Sequence, residues 1–262
     1  MADFSIDPSA IAAVVNASIR NALPITLGAL SGIVSERSGV VNIGIEGMML
    51  AGAFAAFSAN VVLSVNGVSP VLQAQPIRLL LATFAALIVG GLMATLHAVL
   101  SIRFKVDQII SGTVINIFAT GLTGYLYVSG ANTLGGLPPM IVNPLNADSG
   151  LLFNIANVVL NKDILTYITL ILVPVSGFAL FRTTWGLRTR SVGENPRAAD
   201  TLGINVYRLQ YTNLWISGML AGLAGATLTL AGVAFERNMS NGRGFIALAV
   251  MIFGMWRPSR AF

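Results

Sequence analysis

Two polar residues that could act on a solute stand inside one apolar stretch of the sequence. Asn42 and Glu46 lie four residues apart in the segment 39–63, a spacing that places both side chains on one face of a helix. A carboxylate inside a membrane is costly unless it is paired or hydrated, so Glu46 is predicted to face a cavity or a partner. Two other interpretations stay open: a structural ion pair between Glu46 and Arg20, or a place for Glu46 at the membrane boundary.

A second polar series occupies the apolar segment 108–128. Its members recur at spacings of three or four, which is one helical face, and they are Thr113, Asn116, Thr120 and Thr123. Such side chains commonly hydrogen-bond to neighbouring helices in membranes, so packing is one interpretation. Lining the path of a polar solute is the other. Gly218 and Gly222 form a GxxxG pair, which indicates close helix packing.

Enzyme chemistry has little support in the sequence. The single histidine, His97, stands near the end of an apolar segment, and neither Ser101 nor Ser111 forms a recognisable nucleophile–base pair with it. The chain has no cysteine, which excludes thiolate chemistry, disulfides and cysteine metal sites. The phosphate-binding pattern GxxxxGK[ST] does not occur. We therefore expect a chain without a catalytic site, a metal site or a cofactor of its own.

The composition indicates the elements that position these residues. Of the 262 residues, 55% are hydrophobic and 10% are charged, whereas an ordinary soluble domain carries about 25% charged residues. The stretch 79–102 lacks Asp, Glu, Lys and Arg and is long enough to cross about 30 Å of hydrocarbon. The sequence predicts one all-α polytopic membrane domain over 1–262, with six or seven apolar segments at 10–33, 39–63, 77–101, 108–128, 163–181, 212–234 and 244–256.

Two of these segments are expected to depart from a regular membrane-spanning helix. The segment 244–256 has about 13 residues, which is short for a full span, so it is predicted to be re-entrant or a half-helix. The segment 39–63 contains four glycines together with Asn42 and Glu46. It is predicted to be broken or to line a cavity.

The basic residues predict the orientation of the chain. The loops 34–39, 102–107, 182–211 and 257–262 hold Arg37, Arg103, Lys105, Arg182, Arg188, Arg190, Arg197, Arg208, Arg257 and Arg260, against Arg78, Lys162, Arg237 and Arg243 on the other side. The positive-inside rule makes the first set cytoplasmic and places the N-terminus outside. The net charge of +5 thus reflects topology and not binding to nucleic acid. The acidic start lacks the basic region of a secretory leader, and no cleaved leader is expected.

The long loop 129–162 is predicted to be extracytoplasmic. It is rich in Gly, Pro and Asn and much longer than a simple connection. It is either a contact surface for an outside partner or a structural cap. Its tail, LLFNIANVVL, is predicted to be a short interfacial helix or a re-entrant piece.

The cytoplasmic stretch GENPRAADTLGINVYR, 193–208, predicts a short helix with strong ends. Asn195 is a favoured N-cap, Pro196 suits the first helical position, and Gly203 can end the helix in the left-handed conformation. Asn205 can then cap a second helix that enters the membrane. Because a helix of about two turns is marginal in water, strong caps favour a docking element over a plain connector. If transport is driven by ATP, this helix is the candidate contact with a separate ATPase.

Several runs together resemble the permease subunits of bacterial ABC importers of the branched-chain amino acid, ribose and nucleoside group, most closely those for nucleosides and simple sugars. The runs are ERSGVVNIGIEGMMLAGAFAA (36–56), DQIISGTVINIFATGLTGYL (107–126), GLRTRSVGENPRAADTLGINVYR (186–208), GMLAGLAGATLTL (218–230) and GRGFIALAVMIFGMW (242–256). The resemblance implies a dimer of identical or paralogous permeases in the bacterial inner membrane. It also implies two cytoplasmic ATPase subunits that use ATP and Mg²⁺, and a periplasmic or lipid-anchored binding protein.

The resemblance also assigns residues to these roles. The ATPase-docking residues would be Gly193, Glu194, Asn195, Pro196, Arg197, Ala198, Ala199, Asp200 and Gly203, with Ala198 and Ala199 small so that a neighbour can come close. The substrate path would include Asn42, Glu46, Thr113, Asn116 and Thr120. Family members usually continue with further membrane helices beyond the position of Pro258, so the C-terminus is expected to be truncated. The alternative function is a secondary transporter or channel with Glu46 as its proton or ion site.

Overall fold

The computed structural model describes residues 8–64, 69–130, 164–230 and 235–262. The helices within these ranges are α1 (Pro8–Glu36), α2 (Ile45–Val62), α3 (Pro70–Gln73), α4 (Gln75–Ala98), α5 (Gln108–Gly130), α6 (Ile164–Arg182), α7 (Thr184–Glu194), α8 (Pro196–Thr201), α9 (Val206–Leu230) and α10 (Arg243–Phe253). A π-helical turn over Val99–Arg103 extends α4. Six helices (α1, α2, α4, α5, α6 and α9) are long and apolar enough to cross a membrane, which confirms the predicted all-α polytopic class.

The centre of the molecule is a bundle of α1, α2, α4 and α9, with α5 packed on α2, and α6 joined through α1 and α7. Glycines bring α2, α4 and α9 close together. A Cβ atom added at Gly90 would lie 2.8 Å from the Cα of Gly222, and one added at Gly52 would lie 2.6 Å from the same atom. The predicted role of Gly218 and Gly222 in close packing is confirmed, because both face the backbone of α4.

The segment 39–63 is broken, as its composition predicts. Its first residues form turns and irregular backbone, and the helix α2 begins only at Ile45. Asn42 therefore lies outside the helix that contains Glu46. The prediction that both side chains share a helical face is wrong, because hydrogen bonds from other helices hold residues 41–44 away from helical geometry.

The last apolar segment forms the half-helix that its length predicts. α10 has 11 residues, and it runs parallel to α1, since Ala247 packs at Gly28 and Met251 packs at Gly32. The first residues of α10 contact Glu46. The next residue, Gly47, donates a hydrogen bond to Asn116 of α5. Asn116 lies eight residues into α5, about 12 Å along the helix axis. With the predicted topology, α10 would thus begin near the middle of the bilayer and end at the cytoplasmic side.

The cytoplasmic segment between α6 and α9 contains two helices where the sequence predicts one. Thr183 caps α7 by accepting a hydrogen bond from the Gly186 N–H, 3.2 Å away. The long outer loop 129–162, with its LLFNIANVVL tail, lies almost entirely outside the described residues. Its predicted role stays a prediction.

Candidate functional site

The predicted caps of the short cytoplasmic helix are present atom for atom. The Asn195 side chain accepts a hydrogen bond from the Ala198 N–H at 3.1 Å, and Pro196 is the first helical residue. At the other end Gly203 has a φ of +79°. Its N–H bonds to the carbonyl of Asp200, and the Ile204 N–H bonds to the carbonyl of Ala199. This pair of bonds is a Schellman motif, which satisfies carbonyls that the helix end leaves free.

The second predicted cap lies at the start of α9. The Asn205 Oδ1 atom accepts a hydrogen bond from the Arg208 N–H at 2.9 Å. Six residues of α8 are therefore fixed at both ends, with four residues between them and the next helix. Because α8 and the start of α9 are both capped and a short turn joins them, α8 has a defined place on the predicted cytoplasmic side of the molecule.

One side of α8 and its flanking residues faces solvent, and we call it the docking surface. It comprises the exposed residues Glu194, Asn195, Pro196, Arg197, Ala198, Asp200, Leu202 and Gly203. Ala199 is different, because it is buried against its own chain. Gly193 is half-buried and lies against the backbone of Arg37. Of the two small residues, only Ala198 is available to an outside neighbour.

Leu202 is the residue of this surface that sequence reasoning missed. Its side chain is 81% exposed, next to the helix end. Tyr207, the second residue of α9, is 61% exposed. An isolated exposed leucine is ordinary, but this one adjoins a capped helix that has an exposed charged side. The sequence does contain a sign of this exposure. Leu202 stands directly before the capping glycine, at the end of the helix, where the helix itself cannot cover the side chain.

Close contacts join α7 and the docking surface to the start of the broken segment. A Cβ atom on Gly193 would collide with the backbone of Arg37 and lie 3.2 Å from the Gly39 nitrogen. Gly39 has a φ of +84°, which suits glycine at this turn. One turn earlier in α7, Thr189 accepts a hydrogen bond from the buried Asn213 of α9 at 3.1 Å.

The Arg37 side chain connects this junction to the end of α10. Its Nη2 atom donates to the carbonyl of Trp256 at 3.2 Å and to that of Met255 at 3.4 Å. Phe181 lies beneath the guanidinium, with its ring centre 5.7 Å away. Burial, followed by repulsion from Arg190, lowers the pKa of Arg37 from its ordinary value. Arginine nevertheless stays protonated under all conditions that the protein meets.

Inside the membrane, side chains from α4 and α5 hold the irregular backbone of residues 41–44. His97 hydrogen-bonds to the carbonyl of Val41 at 3.0 Å through Nε2 and to Ser111 at 3.0 Å through Nδ1. Asn116 donates to the carbonyl of Ile43 at 3.0 Å. Irregular backbone at membrane depth persists only where protein or water satisfies its polar groups, and these side chains do so here. His97 is hydrogen-bonded, as the sequence predicts for a lone histidine.

Asn42 lies in a fully buried polar cluster. Its Nδ2 atom donates to Ser217 at 3.1 Å, and the hydroxyl groups of Ser217 and Ser31 are 2.9 Å apart. The three residues come from the broken segment, α9 and α1, and none has exposed surface. Asn42 therefore ties two central helices to the irregular backbone.

Glu46 accepts two hydrogen bonds from the first turn of α10. Its two carboxylate oxygens accept from the N–H groups of Gly242 at 2.8 Å and Gly244 at 2.6 Å. The free N–H groups and the positive dipole end of a helix stabilise a carboxylate there. The adjoining Gly47 N–H donates to Asn116 Oδ1 at 2.7 Å. Glu46, which is 7% exposed, is thus held by backbone groups of its own chain.

The predicted path residues fall into two groups. Asn42 and Glu46 belong to the broken segment and Asn116 contacts it from α5, and all three are hydrogen-bonded within the chain. Thr113 and Thr120 lie on an exposed face of α5, and their hydroxyl groups donate to carbonyls one turn back in the same helix. On that face a Cβ atom added at Gly121 or Gly124 would meet no atom within 4 Å. The fourth member of the series, Thr123, is buried.

In a comparison with protein families, one family matches nearly the whole chain. Residues 14–262 match the family described as the branched-chain amino acid transport system permease component. The chain belongs to this family. The permease is a transport component and a multi-pass protein of the bacterial inner membrane, and its family membership implies an ATPase partner.

Individual relatives are more than a third identical to the permease over the aligned residues. The guanosine ABC transporter permease NupQ of Bacillus subtilis is 39% identical over 94% of this chain and 76% of its own length. The nucleoside ABC transporter permease NupC of Lactococcus lactis is 37% identical over 90% of this chain and 73% of its own. A Haloferax volcanii protein provisionally named a glucose ABC transporter permease, TsgC13, is 36% identical over 95% of this chain and 72% of its own.

These relatives bear on the two functions that the sequence left open. They favour the permease of an ATP-driven importer and do not favour a secondary transporter or channel with Glu46 as an ion site. The geometry agrees, because both oxygens of that carboxylate already accept backbone hydrogen bonds.

Proposed function

We propose that this permease forms one half of the translocation unit of an ATP-driven importer for nucleosides or closely similar polar solutes. The other half is an identical or paralogous permease. The observation that carries the proposal is α8: a short cytoplasmic helix, capped at both ends, with Leu202 and its charged neighbours exposed.

The docking surface contacts a separate ATPase subunit in this proposal. The two caps keep α8 rigid without a partner, so little conformational entropy is lost when a partner binds. Leu202 provides an apolar anchor, and Arg197 and Asp200 provide charges of opposite sign beside it. ATP and Mg²⁺ are bound and used by the ATPase, and the permease transmits the resulting movement.

The solute path in this proposal follows the exposed face of α5 and is completed by the second permease. Thr113 and Thr120 offer hydroxyl groups, and Gly121 and Gly124 leave space for a solute. Such contacts are weak, which suits transport, because a path that binds its solute tightly does not release it. An extracytoplasmic binding protein, lipid-anchored or periplasmic, delivers the solute to the outer side.

The solute class follows from the relatives and from the chemistry of that face. Two of the relatives are named for guanosine and nucleosides, and the third is provisionally named for glucose. These solutes share several hydroxyl groups on a ring, which threonine hydroxyls and amides can bind in succession. Nucleosides are therefore our first choice and simple sugars our second.

Capture of the ATPase tests the docking surface directly. The permease is purified with its partner ATPase, and Ala198→Glu is compared with Thr184→Glu. Both positions are exposed, and both changes add one negative charge, but Thr184 lies at the opposite end of α7. We expect Ala198→Glu to lose the ATPase and Thr184→Glu to retain it. Equal retention by both variants would reject α8 as the docking helix.

A further inference from the structure

The half-helix α10 is bonded at both ends, to the polar residue Glu46 at one end and to residues near the docking surface at the other. The proposed function does not connect these two regions. The first turn of α10 bonds to Glu46, near the middle of the bilayer. The turn that follows its last residue, at Met255 and Trp256, bonds to Arg37 and Glu36 at the other end of α1. A short rigid helix with a fixed bond at each end moves as one body, so a displacement at one end reaches the other.

The cytoplasmic end of α10 is a strained turn that depends on these bonds. Met255 and Trp256 have φ angles of +53° and +52°, a conformation that residues with a side chain rarely adopt. Arg37 bonds to the carbonyls of both residues, and the Trp256 indole donates to the Glu36 carboxylate at 2.6 Å. The turn is thus held by α1 residues on two sides.

Arg37 is also the point where the docking surface reaches this turn. Gly193, two residues before the N-cap of α8, lies directly on the backbone of Arg37, too close to admit a side chain. The backbone of Arg37 thus contacts α7, while its side chain contacts the end of α10. Among the described contacts, this residue joins the docking surface to the turn at Trp256.

The interface of α10 with α1 is closely packed. Gly28 and Gly32 of α1 face Ala247 and Met251 of α10. Small residues at such an interface let two helices approach each other closely, and the flexible methionine side chain can adjust to a small shift. In the proposed route, a shift of the Trp256 turn is passed to α10, with Glu46 at its far end.

The far end leads to the proposed solute path. Glu46 is followed by Gly47, whose N–H donates to Asn116 of α5. Asn116 lies three residues after Thr113 and four before Thr120 on the helix whose exposed face forms the path in our proposal. A displacement of α10 thus reaches α5 through one residue pair.

We propose that Arg37 is a positioning residue that couples the docking surface to α10, so that movement of α7 and α8 shifts α10, Glu46 and the path face of α5. The inference rests on the proposed function, because it needs an ATPase at α8. It adds a route for the movement and names the residue on which that route depends. Arg37 acts through the Trp256 turn and does not contact the solute.

The test uses the complete transporter in liposomes, with ATP hydrolysis and solute uptake measured in the same sample. We expect Arg37→Gln to keep the ATPase bound and active, while solute molecules taken up per ATP fall about tenfold, within the usual range of coupling energies between sites. Arg37→Lys should give a smaller loss, since lysine keeps the charge but lacks the planar guanidinium, whose Nε and Nη2 atoms both donate to the Trp256 carbonyl. Arg188→Gln, an exposed arginine on α7, is the charge-matched control and should leave the ratio unchanged.

A spin label gives a readout that a purely structural role would not change. Phe253 is 86% exposed at the end of α10, and the chain has no other cysteine to label. ATP should change the mobility or distance signal of labelled Phe253→Cys in the wild-type background and leave it unchanged with Arg37→Gln.

The outcomes separate this inference from the function on which it rests. Unchanged uptake per ATP in both Arg37 variants would overturn the route through Arg37, and so would an ATP-dependent label signal that survives Arg37→Gln. Failure of both variants to assemble with the ATPase would also overturn it, since Arg37 would then serve folding. A wild-type complex without ATP-driven uptake would instead reject the proposed function.

Discussion

In the folded protein the Glu46 carboxylate accepts hydrogen bonds from two backbone N–H groups in place of water. These bonds explain how the side chain is kept inside the membrane. The first turn of α10 supplies two backbone donors to its oxygens, at 2.8 and 2.6 Å. The residue therefore connects two helices, and its charge serves that connection.

Replacing the charge tests this role at the residue scale. Glu46→Gln keeps the size of the side chain but turns one acceptor into a donor that faces an N–H group. Hydrogen bonds to charged groups are worth about 1.5–3 kcal/mol, so we expect a loss of that order in stability, measured by thermal unfolding in detergent. The exposed Glu236→Gln should change the unfolding temperature little. Equal effects of the two changes would show that the Glu46 bonds contribute nothing.

Variants of Asn116 and Thr113 distinguish two roles: support of the backbone by Asn116 and contact of Thr113 with a solute. Asn116→Ala leaves the Gly47 N–H and the Ile43 carbonyl without their partner, at about 1–3 kcal/mol for each buried group. Thr113→Ala removes a hydroxyl that bonds only to its own helix, so its stability should be unchanged while solute uptake falls. Unfolding temperature and uptake are measured on both variants, and the opposite pattern would remove Thr113 from the path.

At the scale of elements, α4 and α9 pack with their backbones in close contact. Gly90→Ala would force Cβ into the backbone of α9, and overpacking of this kind costs about 1–3 kcal/mol. Gly121→Ala is the matched control, since it meets no atom within 4 Å and alanine favours the helix. Thermal unfolding should show a lower midpoint for the first variant and an unchanged or higher one for the second. A stable Gly90→Ala would contradict the described packing of α4 on α9.

The docking surface makes its own prediction at this scale. Burying a leucine side chain is worth about 1.5–3 kcal/mol, so Leu202→Asp should weaken the binding of the ATPase by about tenfold or more. Leu187→Asp, a change at another exposed leucine of the cytoplasmic segment, serves as the comparison. Affinities are measured by titrating the ATPase onto the permease in nanodiscs. Equal weakening by both changes would show that general charge, and not the Leu202 anchor, governs binding.

The ends of α8 could be predicted from capping rules that act within a few residues. The features that could not be predicted depend on contacts between residues far apart in the chain. Asn195, Gly203 and Asn205 act on backbone atoms within a few residues, so their roles can be deduced from the sequence. The start of α2 cannot, because His97 and Asn116 bond to its preceding backbone from 55 and more residues away in the chain. For the same reason the burial of Ala199 and the exposure of Leu202 emerged only from the fold.

At the scale of the whole molecule, the fold links a cytoplasmic surface to a polar membrane cluster. The sequence predicted both regions and the helical membrane class, since hydropathy and capping patterns are local. The link between them through Arg37, α10 and Glu46 joins residues about 200 positions apart. A single sequence contains no signal for such a pairing.

The most direct measurement of the central claim is uptake of labelled guanosine into liposomes that contain the permease, its ATPase and its binding protein. Uptake should require hydrolysable ATP, continue when a protonophore removes the proton gradient, and fall strongly with Ala198→Glu but not with Thr184→Glu. Uptake that continues with a non-hydrolysable ATP analogue, or that stops when the proton gradient is removed, would contradict the account.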